Sequence, residues 1–134
     1  MIHNVTYNNP KVDREIAQAV GPAFGMLQRI RIGGTGSPKL LIREASEAFQ
    51  PFLGYNQDLV YANIELRPKG MILRFRHLLE TMAWIVPGTE LHWLWQNPVL
   101  TLRKGSDELQ LEPAAGVAFN YRYFVKAELL WGIG

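Results

Sequence analysis

A chain of 134 residues, 48% hydrophobic and 19% charged, has the length and composition of one folded domain, which excludes an intrinsically disordered protein. Its 14 basic and 12 acidic residues leave a net charge of only +2, too small an excess to indicate nucleic acid as a partner. The absence of cysteine excludes disulfides, thiolate nucleophiles and cysteine-ligated metal sites. We expect residues 1–134 to form a single domain.

The N-terminus and the hydrophobic runs give no sign of export or of a membrane span. Met1–Asn4 lacks the basic segment followed by an apolar one that a secretory signal has. No apolar run approaches the ~20 residues that a spanning helix needs. The expected location is therefore the cytoplasm.

The first predicted element is a helix that begins after Asn9. Asparagine is a good helix cap, and Pro10 suits the first helical position. Apolar residues then recur at helical spacing, at Val12, Ile16, Ala19, Val20 and Ala23. Gly21-Pro22 should end or kink this helix, because proline cannot donate to the helical ladder.

The next segment predicts a hairpin. Apolar and polar residues alternate in Leu27–Ile32, which favours a strand, and Gly33–Pro38 has the composition of a loop. Lys39–Arg43 is a candidate second strand that would pair with the first. The following segment, Ala45–Asp58, gives mixed signals, with a possible helical turn at Ala45–Phe49.

The stretch Leu59–Pro113 predicts a series of short strands separated by tight turns. Apolar residues occupy every second position at Val60, Ala62, Ile64 and Leu66, and again after the turn Pro68-Lys69-Gly70 at Met71, Leu73 and Phe75. A period of two places one set on the core face of a sheet. Further strands are predicted at Thr81–Val86, Glu90–Trp95, Val99–Lys104 and Asp107–Glu112, the last two joined at Gly105-Ser106.

The last segment changes to a helical period. Its apolar residues are spaced by four, four and three, at Phe119, Tyr123, Ala127 and Leu130, and Gly132 is a suitable stop. The order of elements predicts an α+β fold. Its sheet would be a strongly bent antiparallel sheet or a partly open barrel, with an N-terminal helix and a C-terminal capping helix.

Several short stretches resemble an uncharacterised family of small bacterial proteins: Gly21–Gly25, Leu40–Glu44, Tyr61–Gly70 and Ala83–Pro87. The resemblance covers Ala19–Trp95 and implies no activity, because none is established for that family. The order of elements also resembles bacterial pleckstrin-homology-like domains, in which the last helix plugs one end of a bent sheet. That second resemblance implies an architecture and not an activity.

Basic residues are the strongest functional hint in the sequence: Arg29, Arg31, Lys39, Arg43, Arg67, Lys69, Arg74 and Arg76. If they lie on strands, Arg29 and Arg31 share a face, and so do Arg74 and Arg76. Two such pairs could border an anionic ligand or a lipid head group. The alternative is a solvated outer face whose charges discourage edge-to-edge pairing. The predicted ligand-binding residues are Arg29, Arg31, Arg67, Lys69, Arg74 and Arg76.

The other candidate sites are weaker. His3, His77 and His92 occur in no metal-binding pattern, and we expect His77 at the surface. Glu90 and His92 could point the same way from one strand, as a metal or acid–base pair or simply as a solvent-facing pair. Gly33–Ser37 could present backbone N–H groups to an anion, but it lacks the phosphate-loop spacing, which favours an ordinary loop. No catalytic residue, metal ligand or cofactor is predicted.

The tryptophans predict a core and an interface. Trp84 should be buried on a central strand, with Met82 and Val86 on the same face. Trp93 and Trp95 share one face of their strand with Leu91, while Leu94 makes the opposite face partly apolar. A strand that is apolar on both faces is sandwiched between layers or lies at a subunit boundary. We predict a homodimer through this strand or through Trp131.

The function that this pattern favours is a non-catalytic, pleckstrin-homology-like binding or interaction module for an unknown ligand. One alternative is the binding of an anionic ligand or lipid head group through the paired arginines. A small hydrolase or metal-dependent enzyme is a lower alternative.

Overall fold

A computed structural model describes residues 1–53 and 59–133, and in them one antiparallel sheet of eight strands packs with four α-helices. The strands are β1 (Ile2–Asn4), β2 (Leu40–Ala45), β3 (Tyr61–Arg67), β4 (Gly70–His77), β5 (Glu80–Pro87), β6 (His92–Gln96), β7 (Val99–Lys104) and β8 (Asp107–Pro113). The helices are α1 (Pro10–Val20), α2 (Met26–Ile32), α3 (Gln50–Leu53) and α4 (Arg122–Trp131). The predicted α+β class is confirmed.

The sheet consists of two three-stranded meanders joined by β2, with β1 added at the edge beside β5. Its strand order is β1-β5-β4-β3-β2-β8-β7-β6. β2 pairs with β8 along most of its length, but only Leu40 and Leu41 pair with β3. The register of β2 against β8 shifts between Ile42 and Glu44, a bulge that bends the strand. Within the described ranges no pairing joins β1 to β6, so the sheet is open.

The inner faces of both meanders surround one hydrophobic core. Each strand contributes the alternate residues that the period of two predicts, among them Ile64, Leu73, Trp84, Leu100 and Leu111. Helix α4 covers this face with Phe124 and Ala127. The prediction that Met82, Trp84 and Val86 share a buried face is confirmed.

Helix α1 packs on the outer face of the first meander. Its buried residues Ile16 and Val20 contact Ile72, Ala83 and Ile85. Strands β4 and β5 are therefore buried on both faces along part of their length.

The predicted ends of α1 are confirmed. The Asn9 Oδ1 atom accepts hydrogen bonds from the backbone N–H groups of Lys11 at 3.0 Å and Val12 at 3.3 Å. Gly21 ends the helix with a φ of 87°, a region that favours glycine.

The strand predicted at Leu27–Ile32 is wrong, because this segment forms helix α2. The predicted hairpin with residues 39–43 does not form, and β2 lies between β3 and β8 instead. Gly33, with φ 85° and ψ 29°, closes the helix, and the Gly34 N–H donates to the Arg29 carbonyl at 2.8 Å. Because no residue of α2 is buried, its apolar residues do not follow the period that packing on a core would impose on a helix. Six residues are then too few to separate a helical period from a strand period.

Some element boundaries differ from the prediction. β6 begins at His92 because Gly88–Glu90 forms a 3-10 helix. A 3-10 helix at Glu47–Phe49 is followed by α3, in keeping with a helical turn near this position. The mixed signals at residues 54–58 lie outside the described residues. Among the described residues, no helix is long and apolar enough to cross a bilayer.

Candidate functional site

Part of the outer sheet face lies beside α1 and carries three cationic residues. Arg74 and Arg76 project from β4, and Lys39 directly precedes β2. They border a groove of about 400 Å³ whose polar lining residues are Ser37, Lys39, Tyr61, Asn63, Arg74, Arg76 and Thr81. We call this the basic groove. Among the described residues, no carboxylate lines it.

Two of the three cations in the basic groove have no acidic partner among the described residues. Lys39 and Arg76 form no ion pair in the part of the chain that the structure describes. The Lys39 ammonium lies 4.9 Å from the centroid of the Tyr61 ring, which is a cation–π contact. Both residues are exposed, so both can meet a ligand from solvent.

The third cation is paired with Glu65 in a partly buried ion network. Arg74 Nη1 donates to Glu65 Oε1 at 2.7 Å, and Arg67 Nε donates to Glu65 Oε2 at 2.5 Å. Burial would by itself raise the pKa of the Glu65 carboxyl, but the hydrogen bond from Arg74 and the charge of Arg67 outweigh it and lower that pKa. Glu65 is therefore ionised at neutral pH and fixes the position of Arg74.

This face of the protein concentrates positive charge. The described lining of the groove includes Lys39, Arg74 and Arg76 and no carboxylate, while Glu65 contacts Arg67 and Arg74 beside it. Such a concentration attracts anions to the groove.

A second cleft, of about 370 Å³, continues the basic groove toward α1. The two share Arg74 and Thr81 in their linings. The second cleft also contains the carboxylate of Asp13. An anionic group is therefore better accommodated in the basic groove than beside α1.

The structure separates the two predicted arginine pairs. Arg29 and Arg31 lie on α2, where positions two apart are about 200° apart around the axis, so their predicted shared face is wrong. Arg74 and Arg76 share the outer face of β4, as predicted. The role of these arginines in ligand binding stays a prediction.

The remaining two predicted residues do not line the basic groove, although Arg67 lines the neighbouring cleft. Arg67 is engaged by Glu65 and also donates to the Gly21 carbonyl at 3.2 Å. Lys69 is exposed in the turn between β3 and β4, at the end of the hairpin opposite to the groove.

Sequence reasoning did not include Lys39, Tyr61 and Asn63 in the site. The period of two in β3 places Tyr61 and Asn63 on the same face as Arg67. The sequence therefore predicts that these residues share the outer face of the sheet. Their convergence depends on strand register, which pairs Asn63 with Arg74 and Leu41 with Tyr61. That register is not visible in any single segment.

The three histidines lie on three different strands, His3 on β1, His77 on β4 and His92 on β6. Glu90 lies in a 3-10 helix and His92 in β6, so the shared strand face predicted for them is wrong. His77 is partly buried, with its Nδ1 atom 2.7 Å from the Phe52 carbonyl oxygen. No group of three or more His, Asp or Glu residues that could hold a metal ion occurs within the described ranges.

The glycine-rich loop Gly33–Ser37 is held by donors from α4. Lys126 Nζ donates to the Gly34 carbonyl at 2.8 Å, and the Tyr123 hydroxyl donates to the Thr35 carbonyl at 2.8 Å. Burial raises the pKa of Tyr123, so this hydroxyl remains a donor. These contacts use the carbonyl groups of the loop and tie it to the core.

Replacing Glu65 with glutamine should make the protein less stable at neutral pH and less sensitive to acid. We expect Glu65→Gln to lower the free energy of unfolding by about 1–2 kcal/mol at neutral pH, after allowing for partial exposure of the network. Because folding lowers the pKa of Glu65, its stabilisation is complete above the ordinary value of 4.5 and is lost as pH falls toward the lower folded value. Chemical denaturation at several pH values should show the difference between the two proteins shrinking below pH 4.5.

Glu112→Gln is the matched control for this experiment. Glu112 pairs with Arg43 at 2.8 Å, but the Arg43 side chain is 55% exposed. An exposed pair contributes little to stability, so this variant should unfold almost as the wild type does. Equal effects of the two substitutions would contradict the role assigned to the Glu65 network.

Comparison with protein-family models, with curated proteins and with solved structures gives no match to this chain. The open antiparallel sheet and its basic groove are therefore the basis of the functional proposal.

Proposed function

We propose that this protein is a non-catalytic binding domain that takes a small anionic ligand in the basic groove. The observation that carries this proposal is the convergence of Lys39, Arg74 and Arg76 on one groove in which no described lining residue is acidic. A volume of about 400 Å³ is in the range of small-molecule sites.

The groove combines three kinds of contact that suit a phosphate or carboxylate group. Arg76 supplies a planar guanidinium fork, which matches two oxygens of such a group at once. Lys39 supplies a point charge, and Tyr61 beneath it supplies an aromatic surface. Arg74, held by Glu65, is a cation whose position is set before the ligand arrives.

The polar groups of the groove favour binding over catalysis. Ser37, the one serine in the lining, accepts a hydrogen bond from the Ile64 N–H and donates to the Pro38 carbonyl. No histidine stands beside it as a base in the described lining. A hydrolase or metal enzyme remains the lower alternative.

The architecture proposed for this module is a pleckstrin-homology-like one. Support comes from the open antiparallel sheet and from α4, which packs against the core with Phe124 and Ala127. The chain differs from such a domain in β1, α1 and α2, which come before the strands that a pleckstrin-homology-like domain requires. The resemblance to the uncharacterised bacterial family likewise stays a proposal.

The homodimer also stays a proposal, with β6 as its contact strand. β6 pairs only with β7 among the described strands, which leaves one edge free, and Leu94 is exposed beside it. Trp93 and Trp95, in contrast, pack inside the chain. Trp93 stacks on Phe124 at 5.3 Å between ring centroids. A dimer would therefore use the edge and the Leu94 face.

The test is a calorimetric titration with inorganic pyrophosphate, a probe with the charge and geometry that the groove fits. We expect binding that weakens as salt is added, since screening reduces the attraction between ligand and cations. Arg76→Gln should weaken it by about tenfold to a hundredfold, the effect of losing one charged hydrogen-bonding partner.

Arg103→Gln is the matched control, because Arg103 is an exposed strand arginine on β7, outside the groove lining. It should leave pyrophosphate affinity unchanged. Equal affinities for the wild type and Arg76→Gln would reject the groove as the site. Equal losses in both variants would show only a general charge effect and would reject it as well.

A further inference from the structure

Helix α2 presents three large apolar side chains to solvent and contributes no residue to the two described core clusters. Met26 is 80% exposed, Leu27 73% and Ile30 71%. At about 100° per residue, these three side chains lie within an arc of about 100° on one side of the helix. Exposed apolar side chains grouped on one side of a helix are a candidate interaction surface.

Two arginines flank this apolar arc, one on each side. With Met26 at 0°, Arg29 falls at about −60° and Arg31 at about 140° around the axis. Ile32, the only residue of α2 that is partly buried, falls on the opposite side and faces the protein. The apolar arc therefore points outward with a cation at each margin.

The chain around α2 contains no acidic residue. Between Glu15 and Glu44 the sequence has no aspartate or glutamate, while Arg29, Arg31 and Lys39 all fall within that stretch. Anionic lipids are complementary to this arrangement. Apolar side chains enter the boundary between head groups and acyl chains, and arginines beside them reach the phosphates.

We propose that α2 attaches this protein to anionic membrane surfaces, with Met26, Leu27 and Ile30 inserted below the lipid head groups. A helix of seven residues is about 10 Å long, too short to supply the roughly 800 Å² per partner of a stable protein interface. Pairing α2 with a second copy would also place arginines against arginines. Reversible membrane attachment needs only a few apolar side chains and nearby positive charge.

The first experiment is co-sedimentation with phosphatidylcholine vesicles, with and without phosphatidylglycerol. The wild-type protein should sediment with the anionic vesicles and remain in solution with the neutral ones. Leu27→Gln/Ile30→Gln, which keeps good helix formers, should lower the partition coefficient by about tenfold or more. The matched control is Leu79→Gln/Leu129→Gln, because both leucines are highly exposed but lie outside α2. It should partition as the wild type does.

The second experiment reports insertion directly. Because the chain has no cysteine, Ile30→Cys carries a single polarity-sensitive dye. Its emission should shift to the blue when anionic vesicles are added, whereas a dye on Leu79→Cys should not respond. The affinity of Leu27→Gln/Ile30→Gln for pyrophosphate should be unchanged. The membrane proposal can therefore be rejected without rejecting ligand binding in the basic groove, and the reverse also holds.

Four outcomes would overturn the proposal. They are the absence of vesicle binding, equal binding to neutral vesicles, unchanged partition of Leu27→Gln/Ile30→Gln, and a silent dye at position 30. If vesicles fail to bind and light scattering shows that the same substitutions dissociate a dimer, the patch is the contact with a second copy. If the protein does not bind vesicles and is a monomer, the partner that covers this patch is instead an acidic groove on another protein.

Discussion

Trp84→Ala should lower the free energy of unfolding by about 3–5 kcal/mol, through lost transfer energy and the cavity left behind. Trp84 is fully buried on β5 and packs edge-to-face on Phe49, with ring centroids 5.0 Å apart. A loss of this size is a large share of the ~5–15 kcal/mol that stabilises a typical domain. Chemical denaturation should show a clearly lower midpoint with an unchanged slope.

Trp84→Phe separates packing from hydrogen bonding at this position. The buried indole N–H finds no acceptor among the described residues, so phenylalanine removes a polar group that has no partner. It should cost about 1–2 kcal/mol, clearly less than alanine. An unfolding midpoint that hardly moves in Trp84→Ala would show that the side chain is not in the core.

Gly70→Ala should cost about 3 kcal/mol, at the upper end of the range for overpacking. A Cβ atom at this position would lie 2.6 Å from Val20 Cγ1 and 2.9 Å from Pro87 Cα, and in still closer contact with the Val86 carbonyl oxygen. Two of these three atoms belong to the backbone of β5 and cannot move without shifting the strand. Because Val20 anchors α1 in the second core cluster, we also expect earlier loss of α1 on heating.

Gly36→Ala is the matched control, because a Cβ atom there would meet no described atom within 4 Å and its φ lies outside the left-handed region. It should unfold within about 0.5 kcal/mol of the wild type. Thermal denaturation followed by circular dichroism measures both variants. A neutral Gly70→Ala would mean that β4 and β5 are farther apart at this end than the structure has them.

The two proposed binding surfaces consist of different residues. The proposed ligand site consists of Lys39, Arg74 and Arg76 on the outer sheet face. Helix α2 carries its own arginines and its own apolar arc. Variants of one should leave the other unchanged, which gives each experiment an internal control.

The sequence by itself determined the parts of this fold that depend on interactions between residues close together in the chain. The period of two in β3 and β4, and the turn Pro68-Lys69-Gly70 between them, place their buried and exposed residues without knowledge of the rest of the chain. Asn9 at the start of α1 and Gly132 at the end of α4 act through hydrogen bonds or backbone angles within a few residues. The burial of Trp84 follows from its position in an uninterrupted apolar run.

Only the tertiary structure decided the conformation of residues 26–32, the position of β2 and the composition of the basic groove. Helix α2 has no buried face, so no hydrophobic period distinguishes it from a strand. β2 pairs with β3 and β8, and β8 lies more than 60 residues away in the sequence, so its partners depend on non-local hydrogen bonds. The groove brings Lys39 beside Tyr61, Arg74 and Arg76 because three strands meet in one register. Register is a property of paired strands, and no single segment contains it.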